Sequence, residues 1–155
     1  KALKTSPADI AVKAQSLTDE LKEARREIES LKSKMAQGGI DDILNNAVEV
    51  KGVKVIASKM ADGLDMNALR TVGDNLKQKT ECGVIVLASN DNGKVNIIAM
   101  ATPSAMEKGA HAGNIVREVA KVCGGGGGGK PDSAQAGGKD ASKIEDALNI
   151  VKDLI

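Results

Sequence analysis

Six consecutive glycines, Gly124 to Gly129, stand directly before Lys130. This spacing matches the first seven positions of a phosphate-binding loop, in which backbone N–H groups surround phosphates and the lysine meets the terminal ones. The eighth position is Pro131, whereas such a loop needs a Ser or Thr hydroxyl there to hold magnesium. The glycines also follow a predicted helix, whereas the loop of that motif joins a strand to a helix. The sequence therefore argues against nucleotide hydrolysis at this site.

The glycine run belongs to a longer segment, Gly124–Lys139, that is predicted to be a loop between two helices. A flexible linker would be rich in serine, and this segment is not. Because glycine has no side chain, its backbone can lie flat against a sugar-phosphate chain or an exposed base pair, while Lys130 and Lys139 add charge. From Lys94 to Lys143 the sequence contains seven Lys or Arg and four acids, so positive charge is concentrated here.

His111 is the single histidine of the sequence, and it precedes a predicted helix. No cysteine or acidic cluster stands near it at the spacing of metal ligands, and no nucleophile accompanies it, so neither a metal site nor a catalytic triad is predicted. Two interpretations stay open. His111 either caps the helix or packs in the loop, or it contacts a phosphate or base at the helix N-terminus, where N–H groups favour anions.

The composition sets limits on the function. With 41% hydrophobic and 28% charged residues in 155, the chain is predicted to form one folded core. It contains no Phe, Tyr or Trp, which excludes every nucleic-acid module that stacks bases on aromatic rings. The net charge is +1, so any anion site must arise from a local concentration of charge.

The sequence shows no sign of membrane insertion or export. No apolar run approaches the ~18 residues that span a bilayer, and the first residues lack the apolar segment of a signal peptide. We therefore expect a cytoplasmic chain with no membrane partner. Cys82 and Cys123 are predicted to be reduced. Because the first residue is Lys1 rather than Met, we expect a fragment of a longer protein.

A long amphipathic heptad helix is predicted for residues 1–39. Ser6 provides the cap and Pro7 the first turn, and Gly38 and Gly39 end the helix. Apolar residues recur at alternating steps of four and three along one stripe: Ile10, Ala14, Leu17, Leu21, Ala24, Ile28, Leu31 and Met35. This narrow stripe needs a partner, which is a second copy, another helix of the parent protein, or the domain that follows.

Residues 40–155 are predicted to form a small globular domain of the α/β (α+β) class. A short helix and strand in 40–50 precede a strand at 53–57, a helix capped by Asp65 and a buried strand at 83–88. Asn92-Gly93 predicts a tight turn into an antiparallel strand at 94–101. Helices ending before Gly124 and beginning at Asp140 complete a mixed β-sheet packed by helices.

The motif residues resemble a known family. These are His111-Ala112-Gly113 with the helix Asn114–Val122, the glycine run, and Lys130-Pro131-Asp132-x-Ala134-Gln135-x-Gly137-Gly138 before a terminal helix. Over about residues 40–155 they resemble the C-terminal domain of bacterial-type alanyl-tRNA synthetases. The more general part of the pattern is shared with the DHH-associated domain of phosphoesterases.

The resemblance implies a non-catalytic domain that binds the corner of alanine tRNA, where the D and T loops meet, and that links aminoacylation with editing. The ATP, Mg and Zn of the full-length family act outside this chain, so no cofactor is expected here. The implied tRNA-binding residues are Lys108, His111, Gly113, Asn114, Arg117, Gly124, Gly125, Gly126, Gly127, Gly128, Gly129, Lys130, Gln135, Gly137, Gly138 and Lys139. The implied oligomerisation residues are Leu17, Leu21, Ile28 and Leu31, for a homodimer or for packing against the remaining synthetase domains.

Two other interpretations stay open from the sequence. The chain could be an oligomerisation or scaffold module without RNA affinity, in which the glycines form only a structural corner. It could also be an accessory nucleic-acid-binding domain of a DHH phosphoesterase, although Pro131 and the missing metal ligands argue against catalysis in this chain.

Overall fold

The computed structural model describes residues 7–37 and 39–155. The predicted cap Ser6 and the predicted terminator Gly38 lie outside the described residues, as does the side chain of Met35. The chain divides into two compact units, α1 up to Lys32 and Ser33–Ile155.

The first helix, α1, spans Pro7–Gln37 and confirms the predicted long helix. Its apolar stripe is open to solvent, since the predicted oligomerisation residues Leu17, Leu21, Ile28 and Leu31 are 51–53% exposed. An isolated helix of this kind gains most of its stability from packing its apolar face. The stripe is therefore an unpartnered surface in the single chain.

The second unit contains five more helices and six strands. In chain order they are α2 (Ile40–Asn45), β1 (Val48–Val50), β2 (Val53–Lys59), α3 (Met66–Gln78), β3 (Gly83–Asp91), β4 (Lys94–Ala101), α4 (Pro103–Glu107), α5 (Ala112–Val122), β5 (Gly126–Gly129), β6 (Ser133–Gly138) and α6 (Ile144–Asn149). Short 3₁₀ helices, Ala141–Lys143 and Ile150–Leu154, flank α6. The predicted terminal helix is thus divided into three short pieces.

The strands form one mixed sheet in the order β1-β2-β3-β4-β6-β5. Strands β2 and β3 are parallel and joined through α3, which confirms the predicted β-α-β unit, and the other neighbouring pairs are antiparallel. One prediction was wrong. Segment Gly124–Lys139 is not a loop but contains the hairpin β5–β6, because β6 is held by pairing with β4, and β5 by pairing with β6, rather than by strand-favouring side chains.

Helices pack on both faces of the sheet, and side-chain alternation along each strand separates two cores. On the first face Ile85, Leu87, Ile98 and Met100 pack with the apolar side of α3. On the second, alternate residues such as Val86, Ile97 and Ala99 pack with α5 and α6. The hydrophobic side chains of these cores are aliphatic or sulfur-containing, since the sequence has no aromatic residue.

The helices are offset along the sheet. Helix α3 packs on β3 and β4, whereas α5 packs on β4, β5 and β6 on the opposite face. The hairpin β5–β6 therefore extends past α3 at one edge of the sheet. On its α3-side face Gly126 and Gln135 are exposed.

A buried threonine tests the fold. The Thr102 hydroxyl accepts hydrogen bonds from the backbone N–H of Gly83 (2.9 Å) and of Ala105 (3.4 Å), and Thr102 is 2% exposed. We expect Thr102→Val to cost about 1–3 kcal/mol in the free energy of unfolding, because the N–H of Gly83 loses this acceptor, whereas the N–H of Ala105 keeps the backbone carbonyl of Thr102. Urea unfolding measures it. Thr71→Val is the control, since Thr71 is exposed on α3, and equal destabilisation by both substitutions would contradict the assignment.

Candidate nucleic-acid interface

The glycine run forms the outermost strand of the sheet. Strand β5 pairs with β6 in the register Gly126–Gly137, Gly127–Ala136, Gly128–Gln135 and Gly129–Ala134. The turn is closed by Lys130, whose N–H donates to the carbonyl of Ser133 (2.9 Å). An extended strand followed by a turn is not the strand-to-helix loop that binds nucleotide phosphates, which agrees with the interpretation of the sequence.

One face of the hairpin has almost no side chains. Ile98, which packs under α3, pairs with Gln135, and Gln135 pairs with Gly128 across the next strand. Two residues along, Asn96, Gly137 and Gly126 form a second row with the same orientation. A Cβ on Gly126 would meet nothing within 4 Å, and one on Gly137 would lie 3.7 Å from the nearest atom. We call these two rows on β5 and β6 (Gly126, Gly128, Gln135 and Gly137) the platform.

Gly125, Gly127 and Gly129 of the glycine run have a structural role. A Cβ on Gly125 would overlap the carbonyl oxygen of Gly137, and one on Gly127 would overlap Ala136. On Gly129 it would lie 2.6 Å from the Cα of Ala134. Strands β5 and β6 therefore approach each other more closely than a side chain allows, and alternate glycines of the run divide into surface and packing positions.

Three further predicted site residues are packing or turn glycines. A Cβ on Gly113 would lie 2.8 Å from the carbonyl oxygen of Gly129, and one on Gly138 would lie 2.7 Å from the Cβ of Cys123. Gly124 has φ +63° and ends α5 in a Schellman motif, in which Gly124 and Gly125 donate to the carbonyls of Lys121 and Ala120. Burial raises the pKa of the Cys123 thiol, which suits a packing role.

His111 is the N-cap of α5. Its Nδ1 accepts a hydrogen bond from the backbone N–H of Asn114 (3.2 Å), and the N–H of Ala112 donates to the carbonyl of Pro131 (2.9 Å). The structure thus supports the capping interpretation, and these two N–H groups of the helix N-terminus already have acceptors within the chain.

The predicted cations do not all gather at the platform. Arg117 reaches it, because its Nη2 lies 3.8 Å from the position of a Cβ on Gly128. Lys130 stands in the hairpin turn and Lys139 directly after β6. Lys108 lies elsewhere, since its Nζ donates to the carbonyl of Gly52 (2.7 Å) at the β1–β2 turn.

Two open cavities of about 320 Å³ each lie along the α3 side of the hairpin and share Gln135. One is lined by Arg70, Ile98, Gly128, Gly129, Lys130, Asp132, Ser133, Ala134 and Gln135. The other is lined by Met66, Lys94, Asn96, Gly126, Gln135, Ala136 and Gly137. Sequence reasoning missed Arg70, which stands one helical turn after Met66. The only sequence feature that indicates a position for Arg70 near the sheet is its neighbour Leu69, because the apolar side of this helix must face the sheet.

Within residues 7–37 and 39–155, no three His, Cys, Asp or Glu side chains gather in a way that could hold a metal ion. In the same part of the chain, no helix combines the length and the apolar character needed to cross a lipid bilayer.

The family model described as "DHHA1 domain" matches residues 52–155, so the chain belongs to this family. Alanine-tRNA ligases are among its curated relatives. The chain is 51% identical over 148 residues to the enzyme of Acetivibrio thermocellus, covering 96% of this chain and 17% of that protein. It is 53% identical over 159 residues to alanine-tRNA ligase 1 of Lachnoclostridium phytofermentans, covering 100% of this chain and 18% of that protein. The chain thus spans less than a fifth of the length of these relatives.

The fold matches the crystal structure of the C-Ala domain from Aquifex aeolicus alanyl-tRNA synthetase. The TM-score is 0.63 and the sequence identity 29%, and the match covers 70% of this chain and 96% of that domain. These similarities confirm the family resemblance that the glycine motif indicated.

The two kinds of glycine predict opposite stability effects. We expect Gly127→Ala to lower the free energy of unfolding by about 1–3 kcal/mol, because the added methyl group overlaps Ala136. Gly126→Ala, the adjacent control, should be neutral or stabilising by up to about 1 kcal/mol, because its methyl group enters open space. Chemical unfolding of both variants measures the difference. Similar unfolding midpoints would contradict the division of the glycine run.

Proposed function

We propose that the chain is the C-terminal, tRNA-binding domain of an alanyl-tRNA synthetase and that it performs no catalysis itself. It binds the outer corner of alanine tRNA, where the D and T loops meet, and thereby helps aminoacylation and editing to act on one tRNA. Similarity over nearly the whole chain to alanine-tRNA ligases, and the fold match to a C-Ala domain, support this proposal.

The platform is the observation that carries the proposal. Its exposed glycines allow a base pair or a sugar-phosphate chain to approach the backbone directly, which any larger side chain would prevent. A chain without aromatic residues cannot stack single-stranded bases on rings, so it must recognise the shape of structured RNA. A tRNA corner presents such a surface.

The charge distribution indicates modest affinity for the isolated chain. With a net charge of +1, the chain makes few phosphate contacts, and its binding should depend only moderately on salt. Weak binding is sufficient for a domain tethered to other tRNA-binding domains, because tethering raises its effective concentration. The other synthetase domains use the ATP, Mg and Zn of the full enzyme, and the whole protein acts in the cytoplasm.

The platform predicts which substitutions weaken RNA binding without unfolding the chain. We expect Gly126→Val and Gly137→Val each to lower affinity for full-length alanine tRNA at least about tenfold, because the side chain separates RNA from the backbone. The melting temperature should change little. Fluorescence titration at two salt concentrations measures affinity, with an acceptor-stem minihelix lacking the D and T loops as the RNA control.

Glu49→Val is the protein control, since Glu49 lies in β1 at the opposite edge of the sheet. The substitution removes a negative charge, so it adds no repulsion toward RNA that could weaken binding. Equal binding of the wild-type chain to tRNA and minihelix would overturn corner recognition. Unchanged affinity of the Gly126 and Gly137 variants would overturn the role of the platform.

The exposed stripe of α1 favours a second function, assembly. We propose that Leu17, Leu21, Ile28 and Leu31 pair with a second copy of the chain or with another synthetase domain. The chain alone tests the first alternative.

For a homodimer, sedimentation should show a mass that rises with concentration. Leu21→Lys should abolish this rise, because it places a charge in the apolar stripe. Val12→Lys is the matched control, since Val12 is 73% exposed and lies off the stripe. A monomer at all concentrations would exclude the homodimer.

A further inference from the structure

Two neighbouring cavities lie between α3 and the glycine hairpin, and we call them together the groove. The two cavities that share Gln135 form its halves, with Lys94 lining one and Arg70 and Lys130 lining the other. Lys94 and Ile98 stand four residues apart on β4, a distance of about 13 Å at the usual rise of a strand. Successive phosphates of a nucleic-acid strand lie at least about 3.4 Å apart, so the groove is long enough for more than one phosphate.

The groove is lined by cations that are available for binding. Among the described residues, no carboxylate forms an ion pair with Arg70, Lys94 or Lys130. Asp132 is the one acidic residue that lines either half. The lining therefore carries a net positive charge, although the whole chain is nearly neutral.

Two backbone contacts fix the end of the groove. The carbonyl of Asp132 accepts hydrogen bonds from the N–H of Ala101 (3.0 Å) and from the Nζ of Lys77 on α3 (3.3 Å). Lys77 thus ties the hairpin turn to the helix that forms the opposite wall. This hydrogen bond helps to hold the hairpin turn next to α3.

The groove continues the platform, because Gly126, Gly128, Gln135 and Gly137 line its floor. The opposite face of the hairpin offers no such path, since there the strands pack against α5. On the α3 side, by contrast, the platform leads directly to the cations Arg70 and Lys130.

We propose that this groove binds the ribose-phosphate backbone of the RNA strand that leaves the platform. Arg70 and Lys130 bind a phosphate at one end and Lys94 binds another at the other end, while the Gln135 amide hydrogen-bonds a ribose between them. A planar guanidinium suits this task because it can donate two parallel hydrogen bonds to one phosphate. The proposal rests on the proposed function, and it determines the direction in which the RNA crosses the domain.

The test compares salt dependence of tRNA binding between the wild-type chain and three charge variants. Arg70→Gln should weaken binding about tenfold, because a charged hydrogen bond is lost, and should make the slope of log affinity against log salt shallower by about 0.7–0.9. Arg70→Lys should keep the slope, because it keeps the charge. Lys152→Gln is the matched control, since Lys152 is exposed in the last 3₁₀ helix and does not line the groove.

A substitution that is expected to raise the affinity makes the test more specific. Asp132→Asn removes the acid from the groove but keeps the backbone carbonyl that Lys77 and Ala101 contact. We expect it to tighten tRNA binding about threefold, which corresponds to losing one repulsion near the surface. Thermal melting of each variant shows that the fold is kept.

The outcomes separate the two proposals. If Gly126→Val weakens binding but Arg70→Gln does so no more than Lys152→Gln, the groove proposal is overturned and the platform stands. If Gly126→Val has no effect, the role of the platform fails first, and the groove proposal, which rests on it, fails with it. Weaker tRNA binding by the Arg70→Gln variant together with tighter tRNA binding by the Asp132→Asn variant supports the groove proposal.

Discussion

The close approach of β5 to β6 is the contact on which the candidate site depends. Only glycine fits at positions 125, 127 and 129, because a Cβ there would overlap β6 or approach it within 2.8 Å. The same closeness brings the carbonyl of Gly129 against Gly113 at the start of α5, where His111 caps the helix. The pairing of β5 with β6, the start of α5 and the hairpin turn therefore all depend on this close approach. The platform is the exposed face of the hairpin that results.

The sequence predicts most of the fold because most of its elements carry a side-chain pattern. The apolar run of β3, the Asn92-Gly93 turn and the apolar stripe of α3 each indicate their element directly. The hairpin β5–β6 has no such pattern, since an all-glycine strand shows no alternation of side chains. Its strand structure arises from its neighbour β4, and contacts distant in sequence cannot be seen in local composition.

The site was predictable in its residue types but not in its arrangement. The glycine motif predicted which residues matter, yet the period of two that divides them into platform and packing positions requires knowing that they form a strand. Arg70 was not predictable, because it stands 54 residues before the glycine run, on another helix. Conversely, Lys108 is near the motif in sequence but donates to Gly52 at another part of the sheet.

A strand made only of glycine buries no side chain of its own. Strand β5 is held by backbone hydrogen bonds at the sheet edge and by contacts from α5. It therefore buries less apolar side-chain surface than β6 and β4. Segments with less buried apolar surface open more often. We therefore expect the amide hydrogens of β5 to exchange before those of β3 or β4. A ligand that binds only the closed hairpin then stabilises it by mass action. Part of the binding free energy would be spent on ordering this edge, which makes complex formation and local folding a single coupled equilibrium.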